Sequence, residues 1–250
     1  MSIIGLRAIL AALVFAVFRR SISIKLTKGN VLAGICLSAT TILFVFANRN
    51  TTAAAAILLQ FTSPIFILIF HFFLYKKRPK PSEITAVAVT LLGMALFFAD
   101  ELSIDNVFGN LMAIASGLSF AGVFVFNKRP DTDPEHSLML GFVINAVIWT
   151  PFAFFDPAIT ADPVAWGVLL VMGVVQVGLA YVFFSIGIKR TTPLLACLTT
   201  ALEPVLNPVW VALATPERPG RFAILGGAVI IGAIIGYNIW VEKFNITGHG

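Results

Sequence analysis

Glu203 is the only acidic residue set deep inside any apolar run of this chain, within LLACLTTALEPVLNPVWVAL, residues 194–213. A charged side chain at the centre of a bilayer costs at least ~2.5–3.5 kcal/mol. Such a group must pair, take a proton, or face a polar surface. Its chemistry is therefore that of a substrate- or proton-binding carboxylate; a structural Glu hydrogen-bonded between helices is the alternative. Thr199, Glu203 and Asn207 follow at i, i+4 and i+8, and Thr200 lies three residues before Glu203. On a helix they share one face, which Trp210 continues. Pro204 cannot donate to the carbonyl of Thr200, nor Pro208 to that of Pro204. Two free carbonyls are expected beside the carboxylate, and both prolines read as helix breaks. Irregular backbone is tolerated in a membrane where it lines a cavity or is buried in protein; a plain kink that shapes the bundle is the other reading.

The elements that carry these residues must cross lipid. The chain has 250 residues, 58% of them hydrophobic and 12% charged, where a soluble domain carries roughly 25% charged. The fold class is therefore an all-α polytopic membrane protein. A crossing helix needs about 20 apolar residues. Nine segments qualify: 3–18, 30–47, 53–75, 84–99, 106–126, 137–155, 163–187, 192–214 and 222–241. The first is read as a retained helix, because its basic residues follow the apolar run instead of preceding it as in a secretory signal. Alternate loops hold 13 of the 17 basic residues, including Arg19, Arg20, Lys76, Lys77, Arg78, Lys128, Arg129, Lys189 and Arg190. That bias marks the cytoplasmic side, so the C-terminus is expected inside and the N-terminus outside. Cys36 and Cys197 lie inside apolar runs and read as small buried hydrophobes. No metal-ligand cluster stands out and no cofactor is expected.

Shifted by 140 residues, Thr51–Val89 matches Thr191–Val229 at ten positions. The informative ones are Thr51-Thr52 with Thr191-Thr192, Pro64 with Pro204, and Arg78-Pro79 with Arg218-Pro219. The copies lie five spans apart, so the second would be inverted in the membrane, an architecture recurrent in secondary transporters. Gln60 and Ser63 then stand where Thr200 and Glu203 stand, and Pro64 frees the carbonyl of Gln60. They offer a second polar surface or, equally, interhelical hydrogen bonds worth ~0.6–2 kcal/mol each. Arg7, inside the first span, has three readings: neutralising a substrate carboxylate, pairing with Glu203, or snorkelling to the outer headgroups. Tyr181, Gln176 and Asn145 are polar groups at depth that read as packing glue before ligands. Ala228, Gly232 and Gly236 read as a small-residue packing ridge, as do Gly117 and Ala121.

In this order along the chain, TTAAAAILLQFTSPIFILIF, GNLMAIASGLSFAGVFVFNKR and AYVFFSIGIKRTTPLLACLTTALEPVLNPVWVAL followed by PERP resemble the repeats of EamA-type transporters of the drug/metabolite transporter superfamily. The resemblance implies two inverted repeats of five helices and transport of small metabolites such as amino acids. It divides the chain into residues 1–100, a first repeat whose opening helix is absent, and 104–241, a complete second repeat.

A nucleotide-driven pump is excluded within this chain, which has no GxxxxGK[ST]. One deep carboxylate without a second acid or HExxH argues against an intramembrane enzyme. What remains is a secondary transporter working by alternating access, with proton coupling through Glu203 to be tested; a non-transporting family member acting as a scaffold is the alternative. The partners expected are a small-molecule substrate, the lipid of the cell membrane, a coupling proton and a second copy in a homodimer, with no nucleic acid.

Overall fold

The computed structural model describes residues 2–101, 106–155, 163–214 and 220–245. All regular structure among them is helical. The helices are α1 (Ser2–Arg19), α2 (Lys28–Asn50), α3 (Ala53–Gln60), α4 (Ser63–Tyr75), α5 (Pro81–Phe97), α6 (Val107–Phe126), α7 (Pro134–Trp149), α8 (Pro163–Val171), α9 (Ala180–Arg190), α10 (Pro193–Thr199), α11 (Leu202–Ala214) and α12 (Arg221–Asn245). A 3₁₀ turn, Thr150–Phe155, extends α7, and a π-helix, Met172–Leu179, joins α8 to α9. Each apolar segment read from the sequence is thus met by helix. Five stretches among the described residues are long and apolar enough to cross a membrane: Lys28–Asn50, Ala53–Tyr75, Val107–Phe126, Val164–Arg190 and Arg221–Lys243.

Local chemistry sets the helix starts. Pro81, Pro134 and Pro193 each take the first helical position, where the missing N–H is no loss. Asp133 caps α7 by accepting from the Glu135 amide. At α5 the Glu83 carboxylate accepts from the Lys80 amide at 2.8 Å. The Arg218-Pro219 exit of the sequence repeat lies outside the described residues.

The chain forms two compact units, residues 1–41 with 122–191 and residues 42–121 with 192–250. The boundaries fall inside α2 and α6, so each unit draws on both halves of the sequence. In the first unit α1 packs on α7 and on the π-helix. Gly173 and Gly178 let it lie close: a Cβ on Gly173 would stand 2.7 Å from Leu10 Cβ, and one on Gly178 2.8 Å from Val14. Phe15 and Phe124 are fully buried there.

One end of this unit is tied by charge. The Arg19 side chain, only 9% exposed, pairs with Glu135 at 3.7 Å. Lys189 reaches Glu135 at 2.7 Å and Asp133 at 3.4 Å. His136 accepts the Lys25 amide on Nδ1 at 3.1 Å, and the Arg19 guanidinium lies 3.1 Å from the same nitrogen. A protonated ring could not accept from Lys25 and would face the Arg19 cation. Burial, then Arg19, hold the imidazole below its ordinary pKa, against the opposing pull of Asp133. The folded pKa is therefore lower than the unfolded value of about 6.5. This contribution is complete above that pH and is lost as pH falls through the folded pKa. Melting temperature in detergent should fall on acidification below about pH 6.5, and His136→Gln should flatten that dependence. Equal slopes for the two proteins would remove His136 as the cause.

In the second unit α12 packs against α5. Its buried face is Gly226, Gly227, Ile230, Ile234 and Tyr237, a helical stripe. The ridge expected from Ala228, Gly232 and Gly236 is exposed, and a Cβ on Gly232 or Gly236 would meet nothing within 4 Å. Two residues along a helix rotate the side chain about 200°, which turns that set away from α5. Close contact runs instead through Gly93 and Gly226. Gly117 does serve as a contact, described below, and Ala121 is fully buried.

Candidate functional site

Two helix breaks in the second unit have closely similar geometry. Thr52 caps α3 by accepting from the Ala55 amide at 3.2 Å, and Thr192 caps α10 by accepting from Leu195 at 3.2 Å. Both caps are extended, at φ −66°, ψ 150° and φ −76°, ψ 153°. α3 stops at Gln60 and α4 begins at Ser63; α10 stops at Thr199 and α11 begins at Leu202. Removing either threonine hydroxyl by substitution to alanine should cost about 1 kcal/mol, read by thermal unfolding.

The breaks precede the prolines. Pro64 and Pro204 sit in the first turn of the following helix, where proline is tolerated. Pro208 is no break at all, because α11 runs through it. Nor is the carbonyl of Thr200 free. At the second break the turns tighten to i−3 bonds: Thr200 N–H to Cys197 O at 3.2 Å, Ala201 N–H to Leu198 O at 3.0 Å, and Glu203 N–H to Thr200 O at 3.1 Å. A 3₁₀ turn supplies the partner that the α-helical pattern would lack.

The hydroxyls of Thr199 and Thr200 donate into their own backbone, to Leu195 O and Cys197 O, each at 2.7 Å. Their protons are spent, and only acceptor capacity remains. Glu203 is the second residue of α11, where the helix dipole favours negative charge. It is exposed, and no hydrogen bond or ion pair of its carboxylate is found among the described residues. Thr199, Glu203, Asn207 and Trp210 form one exposed stripe, with Cys197, Leu198, Ala201 and Val205 buried behind it.

The first break is closed where the second is open. Gln60 Nε2 donates to Ser116 Oγ on α6 at 2.8 Å. A Cβ on Gly117 would stand 2.7 Å from Gln60 O, so glycine lets α6 touch the carbonyl that Pro64 leaves unpaired. Ser63 is fully buried, its hydroxyl 3.2 Å from Cys197 Sγ. Gln60 and Ser63 thus make interhelical bonds rather than an open polar surface.

Arg7 belongs to the first unit. Its Nη2 donates to Gln176 Oε1 at 3.0 Å. Gln176 lies in the π-helix, and Tyr181 is within electrostatic reach of Arg7. The Tyr181 ring stands edge-on to Phe142 at 5.3 Å. Asn145 accepts from Ser38 at 2.7 Å, the packing role expected for it. The π-helix was not legible from apolar periodicity; Gly173 and Gly178 flanking Gln176 were the available signal. Among the described residues no three His, Cys, Asp or Glu side chains could hold a metal ion.

Apolar crossing-length helices, one of them (Ala53–Tyr75) broken beside polar side chains, define a multi-pass helical membrane protein. The chain belongs to the EamA-like transporter family, whose model matches residues 1–99 and 107–239. It is 28% identical over 179 residues to the uncharacterized transporter YwfM of Bacillus subtilis, covering 70% of this chain and 60% of YwfM. It is 24% identical over 245 residues to the pseudopaline exporter CntI of Pseudomonas aeruginosa, covering 93% of this chain and 84% of the exporter. A crystal structure 20% identical in sequence matches its fold with a TM-score of 0.80, covering 97% of this chain and 88% of that one. YwfM and CntI are transporters, not enzymes.

Proposed function

We propose that this chain is a secondary transporter that moves a small polar or amphipathic metabolite, such as an amino acid, across the cell membrane by alternating access. The observation that carries the reading is the exposed Glu203 carboxylate in the first turn after the helix break between α10 and α11. Discontinuous helices of this kind supply binding groups at depth in transporters. The likeness to CntI, which exports pseudopaline, favours export. The matched caps and breaks 140 residues apart support two inverted repeats, and the apolar runs with basic residues concentrated in alternate loops support nine crossings, the C-terminus inside and the N-terminus outside. Glu203 would carry a coupling proton.

Reconstitution tests this. Proteoliposomes holding the purified chain should accumulate labelled amino acids, amines or nucleobases when a pH gradient is imposed, and should exchange them in its absence. No uptake or exchange above that of empty liposomes across the panel would overturn the reading.

A further inference from the structure

A half-buried guanidinium on an apolar helix without a carboxylate is an incomplete ion pair. Arg7 is half-buried on α1; among the described residues no acidic group pairs with it, and its side chain bonds a neutral amide. Arginine stays charged at any accessible pH, so the missing counter-charge must come from elsewhere.

The register of the packed helices turns this charge away from the N-terminal end of α1. Leu10 meets Gly173 and Val14 meets Gly178. At the helical rise, Arg7 therefore stands level with about residue 170. Its guanidinium nevertheless meets Gln176, on the inward side of that level and near the middle of the apolar stretch Val164–Arg190. A snorkelling side chain would run the other way, toward the start of α1. Gln176 sits in a π-helix, a local irregularity that recurs at functional sites. The wide turn and the two flanking glycines let α1 approach closely enough for the amide to hold the guanidinium. Gln176 takes one N–H of the five that arginine offers. The others suit a planar carboxylate bound through two parallel bonds. Tyr181, against Phe142, adds an aromatic wall near the guanidinium.

We propose that Arg7, braced by Gln176, is a carboxylate-binding point, and that the substrate class is therefore carboxylate-bearing solutes. The assignment of this ligand as cargo rests on the transporter reading above; the binding site itself does not.

The test uses the purified full chain in neutral phosphatidylcholine vesicles, which removes anionic headgroups as competitors. The probes are the common L-amino acids and short carboxylic acids, each paired with its primary amide. At least one carboxylate should raise the melting temperature while its amide does not. Arg7→Gln should weaken that probe at least tenfold. Gln176→Glu gives Arg7 an internal carboxylate; it should remain folded and lose the probe as well, so the test does not depend on Arg7→Gln folding. No preference of any acid over its amide, or wild-type affinity in both variants, would overturn the site. Transport separates the two readings. Uptake by the wild type that Gln176→Glu leaves intact for every carboxylate sinks the site and keeps the transporter. Arg7-dependent binding with no uptake or exchange of any solute keeps the site and sinks the transporter.

Discussion

Gly226→Val is expected to disrupt the second unit, with a loss of ~3 kcal/mol, the upper end of the usual overpacking cost, and a fall in melting temperature of ~6–12 °C for a domain of this size. The reason is backbone against backbone. A Cβ on Gly226 would press on the Phe97 amide nitrogen and stand 2.6 Å from both the Gly93 carbonyl oxygen and Phe97 Cα. No rotamer change can relieve such a contact, so α5 and α12 would have to separate. That separation would expose Met94 and Ile230, both fully buried. Gly232→Ala is the control. Its Cβ would meet nothing within 4 Å, and alanine favours helix over glycine by ~1 kcal/mol. Thermal unfolding of the three proteins in one detergent decides the matter; a Gly226→Val protein that melts with the wild type would show that the helices have room to spare.

The difference between Gly226 and Gly232 marks the limit of what the sequence could say. Small residues at four-residue spacing announce close packing, but several registers of that spacing coexist on α12. Which one meets α5 depends on the partner surface, which no single-helix pattern contains. The helix positions were legible because burial in lipid requires long apolar runs, and every such run became helix. The breaks at Gln60 and Thr199 were legible approximately, from Pro64 and Pro204. Their placement was not, because proline is comfortable in a first turn and the chain bends just before it. Pro208 shows the converse: inside α11 it removes one bond, and the helix continues.

The candidate site was legible as residue types and obscure as partners. Polar groups in apolar runs are few, so Gln60, Ser63, Arg7 and Glu203 were all found. Their roles depend on what lies across the interface. Ser116 and Cys197 claim Gln60 and Ser63, and Gln176 claims one hydrogen bond of Arg7. The hydroxyls of Thr199 and Thr200, expected to point outward as ligands, donate to carbonyls of their own turn. The stripe around Glu203 is therefore less rich in donors than its composition suggests, and the carboxylate carries more of the chemistry.

Glu203→Gln is accordingly expected to reduce pH-gradient-driven accumulation to the level of empty liposomes while leaving solute exchange without a gradient. Glutamine keeps the size of the side chain and its hydrogen-bonding oxygen but cannot carry a proton. Folding should hardly notice: the exposed carboxylate loses only its interaction with the α11 dipole, ~0.3–1 kcal/mol. A transport defect with an unchanged melting temperature therefore reports on function. Thr199→Val and Thr200→Val should each change accumulation only a few-fold, since their protons are already committed at 2.7 Å. Glu203→Asp, shorter by one methylene but still titratable, should keep gradient-driven accumulation in part. Unchanged uptake and unchanged pH dependence in Glu203→Gln would sink proton coupling through this residue. The exposure of Glu203 would then serve only to keep a charged side chain at the N-terminal end of a helix, where the helix dipole favours it.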